Sequence, residues 1–264
     1  MDFKEKVIWI TGASSGIGEH LTYAFADHGA KLIISSRNEK ELQRVKNNCR
    51  QEAEIVIQPL DLTETDSMPS LAKKIIDQFG YINILINNGG ISQRALAKET
   101  QFEVDKKIIE VNFLGTVALT KAVLPFMIKQ QFGQIVVISS ITGKVGIPYR
   151  SSYSASKHAL HGFFDALRAE VHQENIKVTV ICPGFIHTNV TINALKGDGS
   201  KNNEMAESTK NGMEPDVFAQ KAIHAIAKEK EEVIIAAGTE RFGPLLKRFA
   251  PKILSNYLKK MKLK

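Results

Sequence analysis

In this 264-residue chain, two side chains one helical turn apart give the first chemical signal. Tyr153 and Lys157 stand four positions apart in Tyr153-Ser154-Ala155-Ser156-Lys157, which opens a stretch of helical patterning, so both share one face. A free tyrosine titrates near 10 and exchanges protons poorly at neutral pH; a neighbouring ammonium stabilises the phenolate and lowers that value. So placed, Tyr153 can donate a proton to a carbonyl oxygen as hydride arrives, or accept one in reverse. Alone, Tyr-x-x-x-Lys is an ordinary helix face, and its weight comes from its surroundings. Thirteen residues before Tyr153, an apolar run ends at Ser139-Ser140. In a doubly wound sheet the C-terminal ends of strands face the ligand crevice, where Ser140 would hydrogen-bond the reacting oxygen. Ser139, its neighbour on the opposite face of the strand, is the competitor.

A second signal lies at the start of the chain. Thr11-Gly12-Ala13-Ser14-Ser15-Gly16-Ile17-Gly18 follows a short apolar run and opens a helical pattern. Its glycines allow a tight turn and close backbone approach to a pyrophosphate, and the helix N-terminus supplies free N–H groups. Gly12, Ser14, Ser15, Gly16, Ile17 and Gly18 are the cofactor contacts of this turn. The next apolar run ends Ser35-Ser36-Arg37-Asn38, where an acid would hold the ribose 2′-hydroxyl of NAD. Arg37, with Asn38 beside it, suits a 2′-phosphate instead, so NADP(H) is favoured over NAD(H), which stays possible. Glu39 slightly weakens that case, and a solvated surface arginine is the bland alternative.

These groups need a scaffold. Short β-branched runs at Val7–Ile10, Lys31–Ser35, Glu54–Gln58, Asn83–Ile86, Gln134–Ile138, Lys177–Ile181 and Glu232–Ala236 read as seven strands buried on both faces. Helical patterns fall between them at Gly18–His28, Glu39–Gln51, Glu64–Phe79, Phe102–Gln131, Ser154–Glu174 and Asp216–Lys228, with a break near Asn112–Gly115. The alternation predicts an α/β fold: one Rossmann-type domain over residues 1–239, with a doubly wound, seven-stranded parallel sheet and helices on both faces. A Gly-, Asn-, Ser- and Lys-rich stretch, about 190–213, reads as a mobile substrate loop.

The ordered set of motifs resembles the short-chain dehydrogenase/reductase family over roughly Lys4 to Gly238. It comprises TGASSGIG at 11–18, Asp61-Leu62, Asn87-Asn88-Gly89-Gly90, Asn112, Ser140, Tyr153, Lys157, and Pro183-Gly184 with Thr188. The resemblance implies Tyr153 as general acid/base and Lys157 as the group that lowers its pKa and binds the nicotinamide ribose. It implies Ser140 as the residue that orients the carbonyl and Asn112 as the holder of a water joining Lys157 to solvent. Asp61 and Leu62 would bind adenine, with Asn88 and Gly90 alongside the cofactor. Pro183, Gly184, Ile186 and Thr188 would hold the nicotinamide. Gly89 departs from the family's usual alanine, with no loss of activity expected. The stretches at 87–94 and 156–160 are most similar to the member 7 branch, whose animal relatives are membrane-anchored reductases of retinoid- or steroid-like carbonyls.

The implied reaction interconverts a carbonyl and a secondary alcohol. The substrate pocket would come from 91–96, 141–149, 188–212 and the tail, whose Ile141, Val145, Ile147, Ile192 and Leu195 favour a hydrophobic molecule. Two rivals are a 3-oxoacyl-carrier-protein reductase and a dinucleotide-binding sensor or scaffold without chemistry. Seven histidines show no metal-ligand spacing, so no metal site is expected; His158 and His161 read as interface or surface residues, and His187 falls near the cofactor. Cys49 and Cys182 read as reduced thiols. Phe163, Phe164 and Leu167, with Phe113, Leu114 and Val117, predict a core and a homo-dimer or tetramer interface.

The net charge of +7 is carried entirely by Glu240–Lys264, where eight basic residues stand against Glu240 alone. A neutral body with a basic tail argues against a nucleic-acid-binding globule. Met1–Lys6 is polar and leaves no room for a signal peptide, and no apolar run approaches the roughly 18–20 residues of a membrane span. A cytoplasmic protein is the expectation. The tail's apolar residues recur at helical spacing, interrupted at Pro251, so 240–264 reads as a basic amphipathic segment. It either caps the cleft or a subunit, or attaches peripherally to an anionic membrane.

Overall fold

A computed structural model describes residues 2–261; Lys262 and Lys264 of the basic tail lie outside them. The seven strands are β1 (Val7–Thr11), β2 (Lys31–Ser35), β3 (Ile55–Ile57), β4 (Ile84–Asn87), β5 (Gly133–Ile138), β6 (Ile176–Pro183) and β7 (Glu232–Ile235). They form one sheet in the order β3-β2-β1-β4-β5-β6-β7, parallel throughout. The order reverses direction between β1 and β4, which opens a crevice above their C-terminal ends. Every residue of β1 and β4 is buried, as a sheet covered on both faces requires.

Helices α1 (Gly16–Asp27), α2 (Glu39–Asn47), α3 (Met68–Phe79), α4 (Phe102–Ile109), α5 (Gly115–Gln130), α6 (Ser151–Glu170), α7 (Glu207–Lys210) and α8 (Pro215–Ala227) follow in chain order. Phe25, Leu21, Phe218 and Ile223 of α1 and α8 close one face of the sheet. Leu119, Val123, Leu160 and Phe164 of α5 and α6 close the other. Two short helices, α9 (Gly243–Phe249) and α10 (Pro251–Lys260), complete the chain and break at Pro251 as the sequence predicts.

The expected break in the long helical pattern is a single π-helical turn, Glu110–Leu114, between α4 and α5. The helical run Phe102–Gln130 contains an 18-residue window of mean hydropathy 1.6 and is long and apolar enough to cross a membrane, contrary to the sequence reading. Its Leu119, Val123 and Met127 join the core on one face of the sheet, Val104 and Ile108 are buried, and 44% of its most apolar window is buried. Core packing accounts for its apolar character. Gly115 lets it approach the chain closely, since a Cβ there would meet the Leu62 carbonyl at 2.2 Å.

Candidate active site

A cleft of about 940 Å³ runs along the C-terminal edge of the sheet. At one end the Thr11–Gly18 turn holds Gly12 at φ +65° and Gly16 at φ +55°, left-handed conformations that glycine adopts without strain. The turn is tight: a Cβ on Gly18 would lie 2.3 Å from the Gly12 carbonyl oxygen, and one on Gly16 would lie 3.1 Å from Thr188 Cγ2. Ser15, the residue preceding α1, makes no side-chain cap, so the first-turn N–H groups of α1 have no hydroxyl acceptor from it. Asn88 Nδ2 donates to the carbonyls of Thr11 and Gly12 at 3.0 and 3.2 Å, and Thr11 Oγ1 accepts from the N–H groups of Asn88 and Gly89. These bonds lock the turn to the end of β4.

Arg37 and Asn38 line the same end, with Ser36, Glu39 and Lys40. Asn38 also caps α2 by accepting from Glu41 N–H. Asp61 accepts from the N–H and hydroxyl of Thr63, both at 2.9 Å. Burial works to raise its pKa, but those two bonds, with Arg37 and Lys107 nearby, hold it below the usual carboxylate value. Leu62 lies across the cleft from the turn, and a Cβ on Gly89 would come within 2.8 Å of its Cδ1.

At the other end Tyr153 is on the first turn of α6 and Lys157 is one turn on. Lys157 Nζ is buried, 5.8 Å from the Tyr153 ring centroid, and donates to Ile138 O at 2.8 Å. Burial pulls its pKa down to about 8. Burial likewise pushes the Tyr153 phenol above its ordinary value, against the downward pull of the Arg150 guanidinium and the Ser140 hydroxyl. The depression that the sequence assigns to Lys157 is therefore not the dominant effect, because both groups are desolvated. Ser140 is buried and its Oγ accepts from Thr142 N–H at 3.0 Å. Ser139 donates to Lys157 O at 3.2 Å, whereas the Ser140 hydroxyl is the one that acts on the Tyr153 phenol.

Asn112 sits in the π-turn, fully buried. Its amide clamps the residue after Gly90: Oδ1 accepts from Ile91 N–H at 2.8 Å and Nδ2 donates to Ile91 O at 2.9 Å. Nδ2 also donates to Ser156 Oγ at 3.1 Å, tying the clamp to α6. Gly90 fills the space between, and a Cβ there would lie 3.0 Å from Asn112 Oδ1 and 3.8 Å from Lys157 Nζ. Asn112 thus ties the segment after β4 to α6.

The sequence profile of the short chain dehydrogenase family matches residues 6–198. The chain is 41% identical over 253 residues to mouse dehydrogenase/reductase SDR family member 7B, covering 94% of this chain and 78% of that one. Its fold is similar to that of a Burkholderia phymatum short-chain dehydrogenase/reductase in complex with NAD, at TM-score 0.82 and 21% identity, covering 99% and 98% of the two chains. It is also similar to an alcohol dehydrogenase of Thermococcus sibiricus complexed with 5-hydroxy-NADP, at TM-score 0.74 and 26% identity, covering 88% and 97%. This chain belongs to the short-chain dehydrogenase/reductase family.

As a member of that family, and of its member 7 branch, it is an NAD(P)-dependent oxidoreductase. The structure brings together on one cleft Gly12, Ser14, Ser15, Gly16, Ile17, Arg37, Asn38, Asp61, Leu62, Asn88, Gly90, Ser140, Tyr153, Lys157, Pro183, Gly184, Ile186 and Thr188. Gly18 and Asn112 stand just behind it, as supports of the turn and of Ile91. Thr188 abuts Gly16, so the loop after β6 reaches back over the dinucleotide turn.

Other readings are corrected. Ile141 and Val145 are buried in packing, and of the five apolar residues assigned to the substrate wall only Leu195 lines the cleft. The wall includes Val190 and Asn193, within the segment the sequence assigns to the pocket, and also Arg150 and Phe185, which lie outside the segments so assigned. The segment read as a substrate loop is stitched to the body: Leu195 N–H donates to Ser92 O and Gln101 N–H to Gly197 O, both at 2.8 Å. His161 is not a surface residue. It is buried behind the site, 3.1 Å from Ser139 Oγ and 3.6 Å from Cys182 Sγ. Its Nδ1 lies 3.4 Å from Glu232, but that carboxylate is paired with Lys144. Burial and Lys144 push the imidazole down to about 4, so the contact is not an ion pair at neutral pH. Cys182 is buried and its thiol pushed up to about 12, an inert packing group. Among the described residues no cluster of His, Cys, Asp or Glu could hold a metal.

Proposed function

We propose that the chain is an NADP(H)-dependent reductase of a largely hydrophobic carbonyl compound, with Tyr153 as general acid/base. One observation carries the reading: the Tyr153 phenol is buried beside Ser140 and Lys157 at the end of a cleft that begins at a phosphate-binding turn. The cleft fits a nicotinamide dinucleotide, because the tight glycine turn lines one end of it and Ser15 leaves the first-turn N–H groups of α1 without a side-chain cap. Gly12–Gly18 would hold the pyrophosphate, Arg37 the 2′-phosphate, Lys157 the nicotinamide ribose and Thr188 the nicotinamide amide. When bound, the cofactor supplies hydride to the carbonyl carbon.

The chain's own residues handle the proton. Ser140 orients the carbonyl oxygen against Tyr153, whose high pKa keeps the phenol protonated and ready to donate at neutral pH. Lys157 stabilises the phenolate left behind, and Asn112 holds Ile91 and α6 in register. Tyr153→Phe should bind NADPH normally, by quenching of cofactor fluorescence, and turn over a ketone about 10²–10⁴-fold more slowly. Near-normal turnover overturns the assignment, and NADPH binding with no turnover of diverse ketones by the wild type would favour the non-catalytic rival. A 3-oxoacyl-carrier-protein reductase would instead show a KM for carrier-bound substrate that falls at low salt.

Two surfaces extend this reading. Phe113 and Phe163 meet edge to face at 6.3 Å beside Leu114, which is 50% exposed, while Phe164 and Leu167 are core. This patch supports a homo-oligomer. The tail is anchored by Lys247, whose Nζ donates to Lys144 O at 2.8 Å and lies 3.2 Å from His158 Nε2, and it buries Leu254. Leu245, Phe249, Ile253 and Tyr257 remain exposed among lysines, which supports peripheral attachment of a cytoplasmic enzyme to anionic membranes. Equal vesicle partitioning with and without residues 240–264 would refute that attachment.

A further inference from the structure

We propose that Arg150 is the recognition group for an anion on the substrate, a carboxylate or phosphate joined by a short spacer to the reacting carbonyl. The proposal rests on the oxidoreductase reading above and names the substrate's second functional group.

Arg150 precedes α6 and follows Tyr149, whose φ of +64° turns the chain inward. Its backbone pairs with that of Ala95, which fixes the loop before α6. The guanidinium carbon lies 6.0 Å from the ring centroid of Tyr153 and 6.0 Å from that of Phe185. The residue is only 8% exposed and lines the cleft with Tyr153 and Lys157. Its side chain donates to no acceptor and faces no carboxylate among the described residues. The charged groups that act on it are the Tyr153 phenol and, with like charge, Arg94.

An arginine carries five N–H donors in a rigid plane and cannot shed its proton to escape burial. Buried unpaired, it is costly, and an arriving anion relieves that cost. Contact with two aromatic rings engages part of the guanidinium, and its N–H donors suit bidentate pairing. The field at this end has one sign. Lys201 also lines the cleft, whereas its lining acids, Glu39 and Asp61, are both at the adenosine end. Ile91, Phe185, Val190 and Leu195 supply apolar walls, so the rest of the substrate is hydrophobic. The geometry describes an amphiphile: an apolar chain, a carbonyl at Tyr153, and an anion at Arg150.

The test titrates decanoate, decyl phosphate and methyl decanoate into the NADPH-loaded wild type, Arg150→Lys and Arg150→Met, followed by cofactor fluorescence. Turnover of a long-chain γ-keto acid, the matching keto-alkyl phosphate and the keto-acid methyl ester is measured alongside. The wild type should bind one of the two anions about tenfold or more tighter than the ester, and the tighter one identifies the head group. Arg150→Met should abolish that preference, mainly through KM, and Arg150→Lys should keep part of it. Equal wild-type affinity for anions and ester overturns the proposal, whatever the fate of the variants. So does a uniform fall in kcat with an unchanged anion-to-ester ratio and a shifted kcat–pH profile, which would make Arg150 a tuner of Tyr153. Anion preference without turnover upholds the site and defeats the oxidoreductase reading.

Discussion

At the adenosine end of the cleft, Arg37 is open to water and Asp61 lies within its field; at the substrate end, Lys157 and Arg150 are buried and no carboxylate faces them. The first arrangement is how proteins ordinarily place charge: solvated, with opposite signs sharing a surface. The second is maintained against desolvation. Substitutions at the adenosine end should therefore change affinity for one cofactor and little else. At the substrate end they should separate activity from stability, since the two cations proposed to serve the reaction are held there against desolvation.

Lys157→Met is the strongest test of that contrast. Its turnover should fall about 10²–10⁴-fold, while stability at neutral pH rises by about 1–3 kcal/mol, the relieved desolvation of the ammonium less its bond to Ile138. The sign follows from its pKa of about 8, below the ordinary lysine value. The native state binds the proton less well than the unfolded chain, so the penalty is full below about 8 and fades as pH rises through the lysine range. Urea unfolding across that range checks it, and a destabilised variant breaks the comparison.

Arg37→Ala should raise KM for NADPH about 10–100-fold, the scale of a lost charge-assisted phosphate contact, and leave KM for NADH almost unchanged. Parallel loss for both cofactors would place the 2′-phosphate elsewhere, with Lys40 the next residue to examine. His161 gives a smaller effect. Its imidazole is held down to about 4, so its contribution is present above the unfolded histidine value and is lost as pH falls toward 4. His161→Gln should flatten that acid limb by about 1–2 kcal/mol in denaturant titrations. Gly89→Ala should be smallest: its methyl meets the tip of Leu62 at 2.8 Å, a side chain able to rotate, and Thr11 Oγ1 at 3.3 Å, so NADPH affinity should change less than about threefold.

Legibility in the sequence follows the same division. The strands were readable because β-branched runs buried on both faces admit few alternatives, and the observed bounds differ by a residue or two at their ends. The dinucleotide turn was readable because its glycines are demanded by backbone geometry. That Tyr153 and Lys157 lie one turn apart on the same helix was readable from their spacing. Arg150 was not, although it stands three positions before Tyr153, because an arginine in a loop is ordinarily a solvated residue. Its burial depends on Ala95 and Phe185, which approach only once the sheet is assembled. His161 was misplaced for a related reason: a partly polar helix face gives no hint that Ser139 and Cys182 close over it. The substrate wall was read from apolar residues at 141–147, some of which the fold consumes in packing.

The π-turn at Glu110–Leu114 acts as a phase shifter. A regular α-helix advances about 100° per residue, so one surplus residue in the hydrogen-bonding pattern rotates everything after it relative to everything before. Upstream, Val104 and Ile108 keep their inward phase; within the turn, Asn112 is swung inward onto Ile91 while Leu114 is left facing out. Excising one residue here would restore an unbroken helix of greater intrinsic regularity. It would also dephase the clamp from the sheet, turning Asn112 away from Ile91 and from the helix that carries Tyr153 and Lys157.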